Sequence, residues 1–304
     1  MTKITLRQLR YVEALARTGH FGRAAESCAI SQPALSIQIK ELEETLGAQL
    51  FERGAREVRP TGLGEAVIAR AREVLRGVDE ISEMVRAARD TLTGRLRVGV
   101  IPTIAPYLLP RLLPDLSDRF PDLDVQIRES VTPRLLTELG EGRLDTAIVA
   151  LPVSDPALQE VAIFEEPLVL VEPAGATGPA PRNPQDLAGL RLLLLEEGHC
   201  FRDQALSFCN LPGQRPREGL EGTSLSTLVQ MVGAGIGVTL IPGMAVEVET
   251  RSADVRVSSF DAPQPTRTIG MVWRKNSPLT EQFTGLSELV LAAAQQDATA
   301  GDPR

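Results

Sequence analysis

Between Thr61 and Leu92 the chain runs without a proline, and its apolar or small residues keep a fixed beat. Leu63, Val67, Ala71, Val74, Val78, Ile81, Val85, Ala88 and Leu92 follow one another at intervals of 4, 4, 3, 4, 3, 4, 3 and 4. This is close to a heptad seam, and the positions between are rich in Arg and Glu. With Thr61 as a cap, the spacing predicts one helix of about thirty residues, a rod of roughly 45 Å. So narrow a stripe on so long a rod has little core of its own. It needs cover, either from a partner helix or from the chain's own second domain. The rod divides the sequence into a head over 1–60, a linker helix over 61–93, a body over 94–296 and a short tail, 297–304, expected to be disordered.

The 304 residues suit two domains, and 43% apolar with 24% charged residues is ordinary for a chain that buries a sizeable core. No apolar run approaches the ~18 residues of a membrane span. The start, Met1-Thr-Lys-Ile-Thr-Leu-Arg-Gln, lacks a secretion signal, so a cytoplasmic location is expected. A net charge of −8 argues against nucleic acid on average. The head differs: nine Lys/Arg against seven Asp/Glu give it +2, leaving −10 on the other 244 residues. That asymmetry points weakly to nucleic-acid contact at the N-terminus.

The head's pattern says more than its charge. Thr5-Leu-Arg-Gln8 reads as a capping box, and Leu6, Leu9, Val12 and Ala16 behind it predict a first helix ending near Gly19. A short second helix is expected from about Gly22, with Ala24, Ala25 and Cys28 small enough for close packing. Ser31-Gln-Pro then opens a third helix, Gln32 to about Leu46, with Ser31 as cap and Pro33 in the first turn. Leu35, Ile39, Leu42 and Leu46 form its buried stripe. Gln32, Ser36, Gln38 and Lys40 offer hydrogen-bonding groups on a rod that fits a major groove. After Phe51 a hairpin-like stretch carries Arg53, Arg56 and Arg59 as a phosphate-gripping wing. The plainer alternative is a three-helix packing module with a solvated basic edge. Phe21–Glu26, Ser31–Ser36, Gln38–Glu43, Leu46-Gly47 and Leu50-Phe51 resemble the winged helix-turn-helix of LysR-type transcriptional regulators. One departure is Gly22, where that family often carries a capping Ser or Thr. The resemblance implies that the long helices pair, with Leu63, Val67, Val74, Val78, Ile81 and Val85 in the seam.

From Gly94 the texture changes. Leu96–Ile101, Asp124–Arg128 and Thr146–Leu151 read as strands, alternating with helices at Tyr107–Phe120 and Pro133–Leu139. Further strands follow at Leu190–Leu195, Gly237–Pro242 and Thr268–Trp273, with helices from about Phe201, at Ser224–Val232 and near Thr280–Ala294. Such alternation predicts an α/β domain with a mostly parallel sheet covered on both faces. Resemblance to the two-lobed, periplasmic-binding-protein-like effector domain of LysR-type regulators implies lobe I at about 94–166 and 268–296 and lobe II at about 167–267. The chain would then cross between lobes near Glu166 and Thr268. Gly233-Ala-Gly-Ile-Gly237 follows a helix and precedes a strand, the wrong order for cradling a dinucleotide.

The chemistry-bearing stretch is Gly198-His-Cys-Phe-Arg-Asp-Gln-Ala-Leu-Ser-Phe-Cys209. Cys200 falls at a helix start with His199 and Arg202 nearby, a setting that favours thiolate, and a thiolate attacks peroxide oxygen to give a sulfenic acid. Cys209 lies nine residues on, facing the other way and about 13 Å distant along a helix. A disulfide tolerates only about 4.4–6.8 Å between Cα atoms, so bonding the two requires the segment to refold. Two small core residues are the ordinary alternative. One histidine beside two thiols makes no metal site, and neither metal nor cofactor is expected. This segment, with Ile101–Pro110, Arg267–Gly270 and Thr223-Ser-Leu, closely resembles the hydrogen-peroxide-sensing activators of the LysR family. The resemblance implies Cys200 as the peroxidatic and Cys209 as the resolving residue. It also implies Thr103 and Thr132 as a peroxide pocket, His199 and Arg202 as activating neighbours, and a packing role for Cys28. The implied partners are promoter DNA, hydrogen peroxide, RNA polymerase, a thiol reductant system and further copies of the chain, as a homodimer or homotetramer. Arg217–Gly222 departs from the family pattern, which has an aromatic residue and a basic neighbour there. The expected class is a regulator, not an enzyme. The alternatives are a crevice for a metabolite coinducer with incidental cysteines, and a thiol peroxidase fused to a DNA-binding head.

Overall fold

Side-chain caps set the first three helices. In α1 (Leu6–Thr18) the Thr5 hydroxyl accepts from the Gln8 amide and the Gln8 side chain accepts from the Thr5 amide, a complete capping box. The spacing predicts that α2 starts at Gly22. It starts one residue earlier, at Phe21–Ser27, and its cap is His20, whose Nδ1 accepts from the Gly22 and Arg23 amides at 3.0 and 3.4 Å. The imidazole thus replaces the missing Ser or Thr hydroxyl, and Gly22 is no cap. Helix α3 (Gln32–Leu46) carries Ser31 as cap and Pro33 in its first turn, as read. The three pack around Val12, Leu15, Ala24, Ala25, Leu35, Ile39 and Leu42, with Cys28 partly buried at the end of α2.

The computed structural model describes residues 4–54, 57–87, 92–187, 189–209 and 221–295, without the side chains of Arg53, Ser82, Arg86, Pro184, Gln185 and Cys209. It comprises two units, Met1–Val85 and Arg86–Arg304. In the first, β1 (Phe51–Arg53) and β2 (Val58–Pro60) form an antiparallel hairpin with Glu52 opposite Arg59. The Glu43 carboxylate accepts from the amides of Leu50 and Phe51 at 2.8 and 3.2 Å, fastening hairpin to α3. Helix α4 (Gly62–Ala87) is capped by the Thr61 hydroxyl, which accepts from the Gly64 amide. Leu92, the predicted end, is buried and not helical, and residues 88–91 lie outside the described residues. The heptad stripe divides. Val67 packs on the head core and Ala71 is buried, whereas Leu63, Val74, Ile81 and Val85 remain 54%, 42%, 63% and 60% exposed. Val78 is half-buried. Among the described residues no helix is long and apolar enough to cross a membrane.

The second unit begins with β3 (Gly94–Val100), α5 (Ala105–Arg119), β4 (Leu123–Glu129), α6 (Thr132–Gly140), β5 (Thr146–Leu151) and the sixteen-residue β6 (Leu158–Pro173). It continues through β7 (Leu194–Leu195), α7 (Cys200–Cys209), β8 (Glu221–Gly222), α8 (Leu225–Gly233), β9 (Thr239–Pro242), α9 (Val246–Glu249), β10 (Val255–Ser258), β11 (Thr266–Arg274) and α10 (Thr280–Gln295). Strand order is β10-β6-β11-β5-β3-β4, with β9 also on β6. In this sheet β4, β3 and β5 are parallel neighbours and the other described pairings are antiparallel, while β7 and β8 form a separate parallel pair. The expected mostly parallel sheet is therefore wrong. Strand β11, arriving from far along the chain, inserts antiparallel between β5 and β6, and local alternation carries no information about that. The predicted strand Leu190–Leu195 shrinks to β7 plus a single bridge from Leu192 to Val238. Strand β10 and the four-residue α9 went unread because each is too short to show a period.

Strand β6 belongs to both lobes. Leu158–Pro167 pairs with β11, and Leu168–Pro173 pairs with β9 and β10. The last β6–β11 rung joins Pro167 to Thr266. One apolar core gathers Val98, Ile148, Met271, Trp273 and Phe283; the other gathers Leu170, Leu194, Phe201, Leu228 and Ile241. The tail, 297–304, lies outside the described residues.

At the start of α4 the backbone approaches Leu50 so closely that a Cβ on Gly64 would stand 2.0 Å from its carbonyl oxygen, whereas one on Gly77 would meet nothing within 4 Å. Gly64→Ala should therefore lower head stability by about 1–3 kcal/mol through overpacking. Gly77→Ala should raise it by about 0.5–1 kcal/mol through helix propensity. Chemical denaturation of the two variants checks the opposite signs.

Candidate functional site

Three element starts converge on a small pocket. Thr103 follows β3, Thr132 opens α6 and Cys200 opens α7, with His199 and Phe201 beside it. Gly198, at φ +95°, turns the chain into the helix in a conformation that favours glycine. Phe201 and Ala205 anchor α7 in the second core, while half-buried Cys200 packs on the first, so the thiol sits where the lobes meet. Among the described residues the buried Thr132 hydroxyl has no hydrogen-bond partner. The Thr103 hydroxyl accepts from Arg267 Nη1 at 2.8 Å, which leaves its own proton to give. A thiol, an imidazole and two hydroxyls with spare capacity form a site for a guest that is small and both donates and accepts.

Arg267 is buried behind the pocket. Its Nε donates to Glu166 at 2.7 Å, Nη2 donates to the Thr103 carbonyl at 3.0 Å, and its guanidinium carbon lies 5.4 Å from the centre of the Phe201 ring. The other Glu166 oxygen accepts from the Met244 amide at 2.9 Å. Reading the sequence placed Arg267 in a strand motif and Glu166 at a crossing, without a role for either at the site. The available signal was weak, since β11 also carries Thr266, Thr268 and Arg274 and β6 also carries Glu160, Glu165 and Glu172.

The two expected activating neighbours behave differently from expectation. His199 is buried, and burial pushes its pKa below the usual 6.5 against the opposing pull of Glu196. The imidazole is therefore neutral at neutral pH and supplies hydrogen bonds instead of positive charge. Arg202 Nη1 donates to the Leu195 carbonyl at 2.8 Å and to Glu221 at 2.6 Å, tying the first turn of α7 to β7 and β8. Cys209 closes the helix that Cys200 opens. Nine helical steps separate their Cα atoms by about 13.5 Å. The Cys209 side chain and Arg217–Leu220 lie outside the described residues.

A cavity of about 310 Å³ adjoins the pocket and shares Thr103 and His199 with it. Across it, Tyr107 donates to Glu249 at 2.6 Å and Ser226 donates to the same carboxylate at 2.5 Å. Burial and the neighbouring Glu249 push the Tyr107 hydroxyl strongly upward, so it stays protonated. None of these three residues was singled out in the sequence. They carry no motif and meet only through the fold. Among the described residues no group of three or more His, Cys, Asp or Glu is arranged to hold a metal.

On the head, Gln32, Pro33 and Lys40 of α3 are exposed, with Ser36 and Gln38 half-buried. Gln38 donates to Glu41 at 2.7 Å, and Lys40 pairs with Glu44 at 3.5 Å. In the hairpin Arg59 is held by Glu57 through Nε and Nη2, which raises its pKa further. Arg59 is thus not a free cation. Arg56 and the Arg53 side chain lie outside the described residues.

Residues 6–65 match the bacterial regulatory helix-turn-helix protein, lysR family, and residues 89–295 match the LysR substrate binding domain. The chain belongs to the LysR family of bacterial transcriptional regulators. Within it, the similarity runs to OxyR proteins over nearly the full length. The chain is 43% identical over 293 residues, 95% of each chain, to the DNA-binding transcriptional dual regulator OxyR of Escherichia coli (strain K12). It is likewise 43% identical to a probable hydrogen peroxide-inducible genes activator of Streptomyces viridosporus, over 93% of this chain and 92% of that one. The full-length OxyR of Pseudomonas aeruginosa with a cysteine-to-aspartate substitution superimposes at a TM-score of 0.76, with 38% identity and 95% of both chains covered. A hydrogen-peroxide-bound cysteine-to-serine OxyR of Corynebacterium glutamicum gives 0.69, with 34% identity over 99% of this chain and 97% of that one.

The buried His199 binds its proton less tightly folded than unfolded. Below about pH 6.5 the unfolded chain therefore takes up more protons, and stability falls as pH falls. Melting curves between about pH 7.5 and about pH 5.5 should show a larger loss for the parent protein than for His199→Gln.

Proposed function

We propose that this chain is a peroxide-sensing transcriptional regulator in which Cys200 is the peroxidatic residue and Cys209 the resolving one. The observation that carries the reading is the unpartnered Thr132 hydroxyl in the pocket that Cys200 opens onto. Hydrogen peroxide carries the paired donors and acceptors that the Thr132 and Thr103 hydroxyls can meet. The Cys200 thiolate attacks one peroxide oxygen as the O–O bond breaks. Cys200 becomes a sulfenic acid, and the other oxygen leaves as water once protonated. The Cys209 thiol then displaces the sulfenic oxygen as a second water, and the disulfide forms. Two electrons have passed from two thiols to one peroxide, and two reducing equivalents from a cellular thiol system reverse the change. Thr103 and Thr132 hold the peroxide. His199 orients it as a neutral hydrogen-bonding group, and Arg202 fixes the first turn that carries the thiol. The disulfide cannot form on the reduced helix, so α7 unwinds and the lobes rearrange.

In this reading residues 1–60 bind promoter DNA, 61–93 pair two copies, and 94–296 sense peroxide. Gln32, Pro33, Ser36, Gln38 and Lys40 face the major groove, while Arg53, Arg56 and Arg59 reach phosphate. The protein works in the cytoplasm as a homodimer or homotetramer, signalling to RNA polymerase. It is a regulator and turns over no substrate. The exposed stripe of Leu63, Val74, Ile81 and Val85 supports pairing.

With one equivalent of peroxide and disulfide mapping by mass spectrometry, the reduced protein should yield a Cys200–Cys209 bond. Cys209→Ser should stop at a trappable sulfenic acid, and Cys200→Ser should do neither. Thr132→Val should slow oxidation about tenfold, the cost of one lost hydrogen bond of about 1.4 kcal/mol. A Cys209→Ser variant that still drives a full promoter response would refute the two-cysteine reading.

The cavity beside the pocket favours a second reading, a metabolite coinducer bound there. A small molecule that changes the footprint of Cys200→Ser as much as that of the parent would establish it. For the seam, Ile81→Asp with Val85→Asp should shift sedimentation toward the monomer while leaving the melting of the second unit unchanged.

A further inference from the structure

Helix α3 carries one side chain that neither fold nor charge accounts for: Ile37 is 56% exposed in the middle of a helix where Leu35, Ile39 and Leu42 are buried and Leu46 is partly buried. At 100° per residue Pro33, Ser36, Ile37 and Lys40 share the face turned away from that core. Pro33 and Ile37, four residues apart, make a continuous apolar step on it, flanked by Ser36 and Lys40.

The charges of the helix decide which part can approach DNA. Its first turn has no acidic residue, whereas Glu41, Glu43 and Glu44 crowd the second half. The N-terminal half, with its positive dipole end, is therefore the part phosphates tolerate. That half holds Ile37. On or beside this face Lys40 pairs with Glu44 and Gln38 donates to Glu41, and Ile37 stands among them as an exposed apolar group. In a major groove the apolar feature is the thymine C5-methyl, which marks a T·A pair and distinguishes it from all others. Isoleucine suits the contact. Being β-branched, it keeps essentially one χ1 rotamer in a helix and loses little freedom on binding.

We infer that Ile37 is a specificity-determining residue that reads a thymine methyl in the operator, with Pro33 completing the apolar surface. This rests on the reading of the head as a DNA-binding domain.

The test uses the full chain and a duplex found by footprinting. Each thymidine is replaced in turn by deoxyuridine, which lacks only the C5-methyl, and Kd is followed by fluorescence anisotropy at fixed salt. One position per half-site should weaken binding about threefold to fivefold, as expected for losing one buried methyl-sized contact. Ile37→Ser, an exposed change whose folding is checked by its melting curve, should bind the thymidine and deoxyuridine duplexes alike at that position. Ile37→Val should keep part of the preference. If no thymine methyl matters, or if Ile37→Ser keeps the full preference, the inference is overturned. If the parent protein shows no sequence-selective duplex at all, the DNA-binding reading falls first and takes this one with it.

Discussion

The second unit is organised around one desolvated charge. Arg267 stands on β11 near the point where β6 passes from one lobe to the other, with Glu166 on β6 as its counter-ion. A buried guanidinium is tolerated only when paired and hydrogen-bonded, and removal of either partner leaves an uncompensated charge costing about 3–5 kcal/mol. Its remaining donors satisfy that requirement by holding Thr103, hydroxyl and carbonyl together. The pocket threonine is consequently positioned by the same group that locks the crossing. Phe201, next to Cys200, covers the guanidinium from the other side. The first turn of α7 and the buried guanidinium therefore touch through one ring.

Helix α7 supplies the second constraint. As long as its ten residues stay helical, Cys200 and Cys209 occupy opposite ends. The helix is held by Phe201 and Ala205 in the core and by Arg202 on Leu195 and Glu221. Its length is below that of a helix stable alone in water, so its integrity comes from those anchors. A covalent bond that pulls the ends together competes with a few anchoring contacts and not with the whole core. The sheet is held separately, by the pairing of β6 with β11.

The sequence made the local features legible and left the distant ones hidden. The cap at Ser31, the stripe of Leu35, Ile39 and Leu42, and the start of α7 at Cys200 follow from spacing and cap chemistry within a few residues. The His20 cap escaped because imidazole is an uncommon cap and Gly22 drew attention as the departure. The direction of β11 escaped because pairing across the chain leaves no periodic mark. Thr103, Thr132, Cys200 and His199 were read through resemblance, and they do line one pocket. The Arg267–Glu166 pair and the Tyr107–Glu249–Ser226 cluster join residues far apart in sequence, and only the fold brings them together. The partial misreading of α4 has a similar origin. A heptad stripe records which side is apolar, not which part the chain covers itself.

That division of the stripe bears on how a weakly basic head can act. Ile68 and Val67 seat α4 on its own head, and Leu63, Val74, Ile81 and Val85 stay exposed. A head of net charge +2 on a chain of net −8 gains little from long-range attraction to DNA. Two heads joined through a helix convert the second encounter into an intramolecular one, at an effective concentration in the millimolar range for short connections. Affinity then depends on the spacing the connection allows more than on the charge of either head. A regulator built this way can keep each DNA contact weak and still respond steeply, because a change in the geometry between copies alters the second contact without touching the first.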